Sequence, residues 1–428
     1  MKKYFIRYGH EKIFFDVPES WNVLTLASFE DNVPARDITE LTRHALKNPV
    51  ETMPLEKQLN SSSKVALLIE DNTRNSPKKY ILRYFLTYLD SLSISPENIS
   101  IIVALGTHKE LSGDELERTY GEDLVKKYCF YNHDCLADDL VPVGKLESGT
   151  TVKINRLAYE ADFRVGIGSI FPHPLNGFGG GGKIMFPGVA NFEAILEHHL
   201  KYCFRNIVLG SLKANPFYEV ISSLAEKGKL DFIINSVLDH NDDLNSVVAG
   251  HPVHAHRAGA DICKKIITRG FSQKADITII SAFPYTQALQ LMKPLEAASI
   301  ITSESGVIIL AGECTTVFPG EYLDACSEFR KNNKGKLETS VFDCFENNRR
   351  IIEHGAPELN MSLAQVLLAI DKYRVILFSK EVPGSDVEKL GFVHAKTIEE
   401  AIEISNGYIN KPSVHIVPSG GVIIPEIH

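Results

Sequence analysis

The sequence predicts an α/β protein made of two α/β domains with mainly parallel sheets. Three observations predict it. Compact runs of Val, Ile, Leu and Ala recur without polar alternation, as strands covered on both faces require. Longer stretches with helical spacing lie between them. The chain has 428 residues, room for two or three units that each bury a core.

In chain order, residues 64–69, 99–105, 163–170, 276–281, 306–311 and 374–378 read as strands. Residues 77–92 and 113–127 carry helical spacing. The segment HAHRAGADICKKIITRG reads as a helix that ends at Gly270, before a new strand. The expected domains are therefore 1–270 and 271–411, with a β-like tail at 412–428.

The balance of charge excludes several classes. Lys plus Arg number 45 and Asp plus Glu 54, a net charge of −9. An acidic chain without a long basic run argues against nucleic-acid or membrane-surface binding. No apolar run reaches the roughly 18–20 residues that span a bilayer. Charges interrupt the start, MKKYFIRYGHEKIFF, so no secretion signal is expected. The 7 cysteines are scattered and contain no C-x-x-C, which suits a reducing cytoplasm.

Three expected strands run into polar clusters: Asp71-Asn72-Thr73-Arg74, Gly106-Thr107-His108-Lys109 and Pro172-His173-Pro174. Open α/β sheets bind ligands at the carboxyl ends of their strands. Asp71 and Thr73 would also serve as ordinary helix caps. The strongest local signal follows, GSIFPHPLNGFGGGGKIMFPGVANFEAILEHHL. Gly177, Gly182 and Lys183 have P-loop spacing. Ile184 replaces the magnesium-binding hydroxyl, and Pro187 opposes a continuing helix, so a nucleoside triphosphatase is rejected. The run Gly179, Gly180, Gly181 and Gly182 costs backbone entropy unless something approaches the backbone closely. Its amides could cradle a phosphate. Lys183 lies among apolar residues, and a desolvated lysine becomes a nucleophile.

Asn191 reads as the N-cap of a helix to about Tyr202. Phe192, Ile195, Leu196, His199 and Cys203 share one face by spacing, which turns His199 inward as a core residue or a metal ligand. His198, about 100° round the helix, is expected to be exposed or behind the site. Farther on, Gln290 and Lys293 are three apart and would share a helix face.

Together these motifs resemble the nickel-dependent lactate racemase family: DNTR, GTH and PH at strand ends, GFGGGGK, EHH, the Gln290–Lys293 pair and the closing HIVPSGGVIIP. The resemblance implies an active site in the cleft between the two domains. It implies a nickel-pincer nucleotide, pyridinium-3-thioamide-5-thiocarboxylic acid mononucleotide, covalently held on Lys183. His199 would complete the nickel coordination, and His108 and His173 would form the acid/base pair. Asp71, Thr73, Arg74, Gln290 and Lys293 would line the pocket for cofactor and substrate, Arg74 holding a carboxylate. Gly177 and the glycines at 179–182 would sit at the cofactor.

The implied activity is racemisation or epimerisation of a 2-hydroxy acid by reversible hydride transfer. The rivals are a metal-assisted enediolate isomerase and an inactive cofactor carrier. Implied partners are the small 2-hydroxy acid and, transiently, the cofactor-synthesis enzymes; a homodimer is allowed. Gly179 replaces a serine usual in the family, and EDNTRNSP replaces DDxTRP. Leu289 stands where an aromatic precedes the glutamine, and the single tryptophan is Trp21. Fewer aromatics point to an acid larger or more polar than lactate.

Overall fold

The computed structural model describes residues 3–29, 36–73, 76–203 and 209–428. The chain divides into a central unit, Val33–Ile266, and a terminal unit, Met1–Asn32 with Ile267–His428.

The central unit carries a six-stranded sheet in the order Leu244–Gly250, Phe232–Leu238, Phe163–Ile170, Val65–Ile69, Ile99–Val103, Cys129–Asn132. All neighbours are parallel except the hairpin of the first two. Successive residues of one strand face opposite sides. Leu67 and Ile69 join Ile101, Val165, Ile81 and Phe85 on one face. Ala66 and Leu68 join Ile233, Met185, Val189 and Ala225 on the other. Two covered faces explain why the strand sequences do not alternate. From Val65–Ile69 the chain moves to one side of the sheet, and from Phe163–Ile170 to the other. The carboxyl ends of these adjacent strands are thus a topological switch point.

The terminal unit holds a parallel six-stranded sheet in the order Val393–Ala395, Arg374–Phe378, Thr302–Ala311, Ala275–Ser281, Ser413–Val417, Asn22–Leu26. Its core includes Ile6, Tyr8 and Trp21. Residues 1–32 therefore belong with the C-terminal half, not with a domain 1–270, because Asn22–Leu26 completes the sheet beside Ser413–Val417. The Trp21 indole N–H donates to Asn406 Oδ1 at 3.1 Å, across 385 positions. Nor is 412–428 a separate tail: Ile424–Ile427 pairs in parallel with Thr268–Phe271. The helix Pro252–Ile267 ends at the division.

The expected helix at 113–127 is two helices, Gly113–Tyr120 and Glu122–Lys127, parted by Gly121 at φ +108°. No helix among the described residues is long and apolar enough to cross a membrane.

Candidate active site

The site is built on the carboxyl edge of the central sheet. After Val65–Ile69 the buried Asp71 carboxylate closes a local turn, accepting from the Thr73 N–H at 3.0 Å and from its hydroxyl. It caps no helix: the next one, Lys78–Ser91, starts at Pro77 without a side-chain cap. Its other oxygen, Oδ2, accepts from His108 Nδ1. His108 arrives through Gly106, which has φ +57° and whose N–H donates to Gly188 O at 2.9 Å. A carboxylate on Nδ1 puts the proton there and leaves Nε2 with a lone pair. Asp71, expected in the pocket, is thus hydrogen-bonded to His108. Arg74 lies outside the described residues.

After Phe163–Ile170 the chain makes the short ladder Pro172–His173 against Gly177–Phe178. His173 Nδ1 accepts two backbone N–H groups, from Leu175 at 3.2 Å and Asn176 at 3.1 Å. Its Nε2 lies 2.8 Å from Lys183 Nζ. Lys183 stands on a single 3₁₀ turn, Gly181–Ile184, rather than a P-loop helix.

The glycine run does approach something closely, but it is the protein. A Cβ would meet the Phe171 ring at 2.5 Å from Gly179, Asn235 Oδ1 at 2.9 Å from Gly180, and the His256 ring at 2.5 Å from Gly181. At Gly177 it would meet Ser211 O at 2.3 Å. The Gly179 N–H is spent on Phe171 O at 2.8 Å, and that of Gly181 on Asn235 Oδ1 at 2.9 Å. These two amides are therefore unavailable to a phosphate, which corrects the part of the cradle expected of Gly179 and Gly181. The run is glycine so that it can lie on Asn235 and His256 and carry Lys183 to His173. His256 escaped the sequence reading, although it falls in phase with Ala255, Ala260 and Cys263 on the buried side of its helix. Its Nε2 donates to Gly179 O at 2.8 Å. Burial pushes its pKa down to about 4.

The helix Phe192–Tyr202 follows as expected. The Asn191 side chain does not cap it; its Oδ1 accepts from Lys153 N at 2.8 Å and ties the helix start to a neighbouring strand. The phase also differs. His198 is fully buried, among Phe186, Tyr202 and Phe217, while Phe192 and Leu196 are only half-buried. His198 Nε2 donates to Phe217 O at 3.1 Å. His199 keeps partial exposure. Its Nδ1 donates to Ile195 O at 2.9 Å, which leaves the Nε2 lone pair open. Burial pushes the His199 pKa down to about 3, so the ring is neutral.

A neutral imidazole with its other nitrogen on a carbonyl is the form that binds a metal. Among the described residues no cluster of three or more His, Cys, Asp or Glu could hold a metal ion. One imidazole suffices only if the metal brings its remaining ligands with it. The donor set thus fits a metal carried inside an organic group, and Lys183 on its 3₁₀ turn is a side chain able to anchor one.

Gln290 and Lys293 belong to the terminal unit. They do not share a regular helix. Gln290–Met292 is a 3₁₀ turn, and Lys293 precedes the helix Pro294–Ile301. Lys293 Nζ stands 4.5 Å from the centre of the Tyr285 ring. Gln290 Oε1 is buried without a hydrogen-bond partner.

The comparisons agree with this architecture. Residues 8–208 match the lactate racemase N-terminal domain, and residues 271–424 the lactate racemase C-terminal domain. The chain is 30% identical to a lactate racemase of Thermoanaerobacterium thermosaccharolyticum, over 98% of this chain and 99% of that one. It is 28% identical to a lactate racemase of Lactiplantibacillus plantarum, over 90% of each. The solved lactate racemase apoprotein of T. thermosaccharolyticum superposes with a TM-score of 0.85 at 26% identity, covering 99% of this chain and 100% of that one. A Thermotoga maritima protein shares the fold, with a TM-score of 0.66 at 17% identity over 91% of this chain and 98% of that one. The chain belongs to the lactate racemase family.

Proposed function

We propose that this protein is a racemase or epimerase of a 2-hydroxy acid that works by reversible hydride transfer to a nickel-pincer nucleotide held on Lys183. The observation that carries the reading is one edge of one sheet. There a carboxylate-backed His108, an amide-backed His173, Lys183 and a neutral His199 are delivered together.

When bound, the cofactor supplies what no side chain has, an electrophilic carbon able to take hydride from the carbinol carbon. The rest falls to the chain. His108, with Nδ1–H on Asp71, offers its Nε2 lone pair to the substrate hydroxyl, and the Asp71 carboxylate stabilises the imidazolium that forms. His173, with Nδ1 fixed by two amides, carries its proton on Nε2 and can hydrogen-bond the keto oxygen, to which the His108 imidazolium returns its proton. As the second member of the pair, His173 would take the hydroxyl proton of the opposite enantiomer once its lone pair is moved to Nε2 and the two amide contacts are released. Arg74 would hold the carboxylate as a bidentate pair, with Lys293 adding charge. His199 Nε2 would be the protein's ligand to nickel, a neutral nitrogen suited to a sulfur-rich site. A cytoplasmic setting, where cofactor-synthesis enzymes can load the chain, fits this reading.

The test combines mass and isotope. Protein co-expressed with the cofactor-synthesis enzymes should carry the added mass on the peptide containing Lys183. In heavy water, unlabelled substrate should invert without gaining deuterium at the carbinol carbon. Early wash-in of deuterium would instead mean an enediolate route, and added mass without turnover would mean a carrier.

A further inference from the structure

The contact between His173 and Lys183 has a direction that protonation rules fix. His173 Nδ1 accepts from two backbone N–H groups, at 3.2 Å and 3.1 Å. It must therefore present a lone pair, and a doubly protonated ring cannot. In a neutral imidazole the single proton then sits on Nε2. That nitrogen lies 2.8 Å from Lys183 Nζ, so Nε2–H is the donor and Nζ the acceptor. An ammonium has three donors and no lone pair, whereas a neutral amine can accept.

We propose that His173, besides its place in the acid/base pair, holds Lys183 as a neutral amine, so that the free chain presents a ready nucleophile at the attachment point. This rests on the reading of Lys183 as that point.

The surroundings act in the same sense. Met185 and Phe186, next along the chain, are fully buried apolar side chains. A low-dielectric environment disfavours the ammonium. Among the described titratable groups near Lys183 are His198 and His199 on Phe192–Tyr202 and His256 on Pro252–Ile267. Burial holds His256 down at about 4, so it is a neutral imidazole at pH 7. From the strand ends His108, paired with Asp71, acts on His199. An amine that is already unprotonated attacks an acyl-type carbon without first losing a proton to a base.

The free full-length chain can be tested with acetic anhydride. The amine nitrogen attacks one carbonyl, acetate leaves, and the new amide gives its proton to solvent. A brief pulse at pH values from 6 to 11, followed by peptide mass spectrometry, reads each lysine's profile. Lys183 should reach half-maximal labelling at least three pH units below the exposed Lys57, an excess of about 400-fold or more at pH 7.5 relative to each residue's own maximum. His173→Leu should cut that excess at least tenfold with Lys57 unchanged, and His173→Gln, which keeps an N–H donor, should restore part of it. Lys183 labelling in step with Lys57 would overturn the proposal. So would a folded His173→Leu variant with the wild-type profile, since His173 would then not be the holder. Should His173→Leu fail to fold, the wild-type profile still decides whether the amine is neutral. Cofactor mass found elsewhere than Lys183 would sink the attachment reading while leaving this profile intact, so the two failures are distinguishable.

Discussion

The two sheets of this protein are alike in size and mainly parallel, yet their carboxyl edges are used differently. At the central edge, Asp71 turns one oxygen to His108, and His173 and His199 each keep one nitrogen directed away from their backbone partners. At the terminal edge the polar groups close on one another. Glu381 Oε2 accepts from the Tyr8 hydroxyl, from Cys314 N at 3.2 Å and from Ser379 Oγ at 3.2 Å. Ser281 Oγ donates to Arg7 O at 2.6 Å and accepts from Phe283 N at 2.9 Å. The difference teaches that a strand end is set up for chemistry when one atom of its side chain is fixed by the fold and another meets a second titratable group. Where the side chain is spent on neighbouring backbone and hydroxyl groups, the same position ties loops together.

Six substitutions would break or sharpen this contrast. The largest effect is expected at Lys183. Lys183→Ala should leave no cofactor mass on the protein and no racemisation above background, with the fold intact by circular dichroism; undiminished turnover would refute the attachment.

Next comes the held carboxylate. Asp71→Asn should lower kcat by roughly 10²–10⁴-fold, because an amide can leave the proton on the wrong nitrogen of His108. Its melting temperature should change far less than its rate. A variant that unfolds but keeps its rate would place Asp71 with the structural groups of the other edge.

The adjacent histidines should separate by readout. His199→Ala should lower bound nickel sharply at little cost in stability. His198→Ala removes a fully buried ring and should cost about 2–4 kcal/mol in urea unfolding, with nickel per folded molecule nearly kept. Stability should also fall with acid. His198 and His256 are neutral when folded and take up a proton once unfolded, so below pH 6.5 the unfolded state binds more protons. Between pH 6 and pH 4 each should remove about 1 kcal/mol per pH unit, and His256→Gln should make that slope shallower by one residue's share.

The smallest effect belongs to the terminal edge. Tyr8→Phe should cost about 1–3 kcal/mol, the range for a hydrogen bond to a charged acceptor, and leave kcat/KM within about twofold. A loss of activity without a loss of stability would show that this edge, too, is reactive.

The sequence by itself determined the class of fold, the six strands first read from apolar runs, and the residue types at the central edge. These are local properties: a strand covered on both faces needs an unbroken apolar run, and a site at strand ends needs its polar residues directly after those runs. Lys183 and His199 stood out as candidates from the glycine run and the helical spacing, which are local patterns too. Tertiary structure alone decided the partners. That Asn22–Leu26 joins a sheet with residues near 415 follows from pairing across almost the whole chain, which no local pattern encodes. The glycine run was legible as a close approach, but whether ligand or protein filled it depended on Asn235 and His256, over 50 positions away. The order of burial of His198 and His199 turned on where Phe217 packs, because a helix face says which residues point together and not what they point at. The directions of protons on His108, His173 and His199 came last of all. They depend on which nitrogen meets a carboxylate, an amide or a carbonyl, and only the folded chain brings those atoms within 3 Å or so of one another.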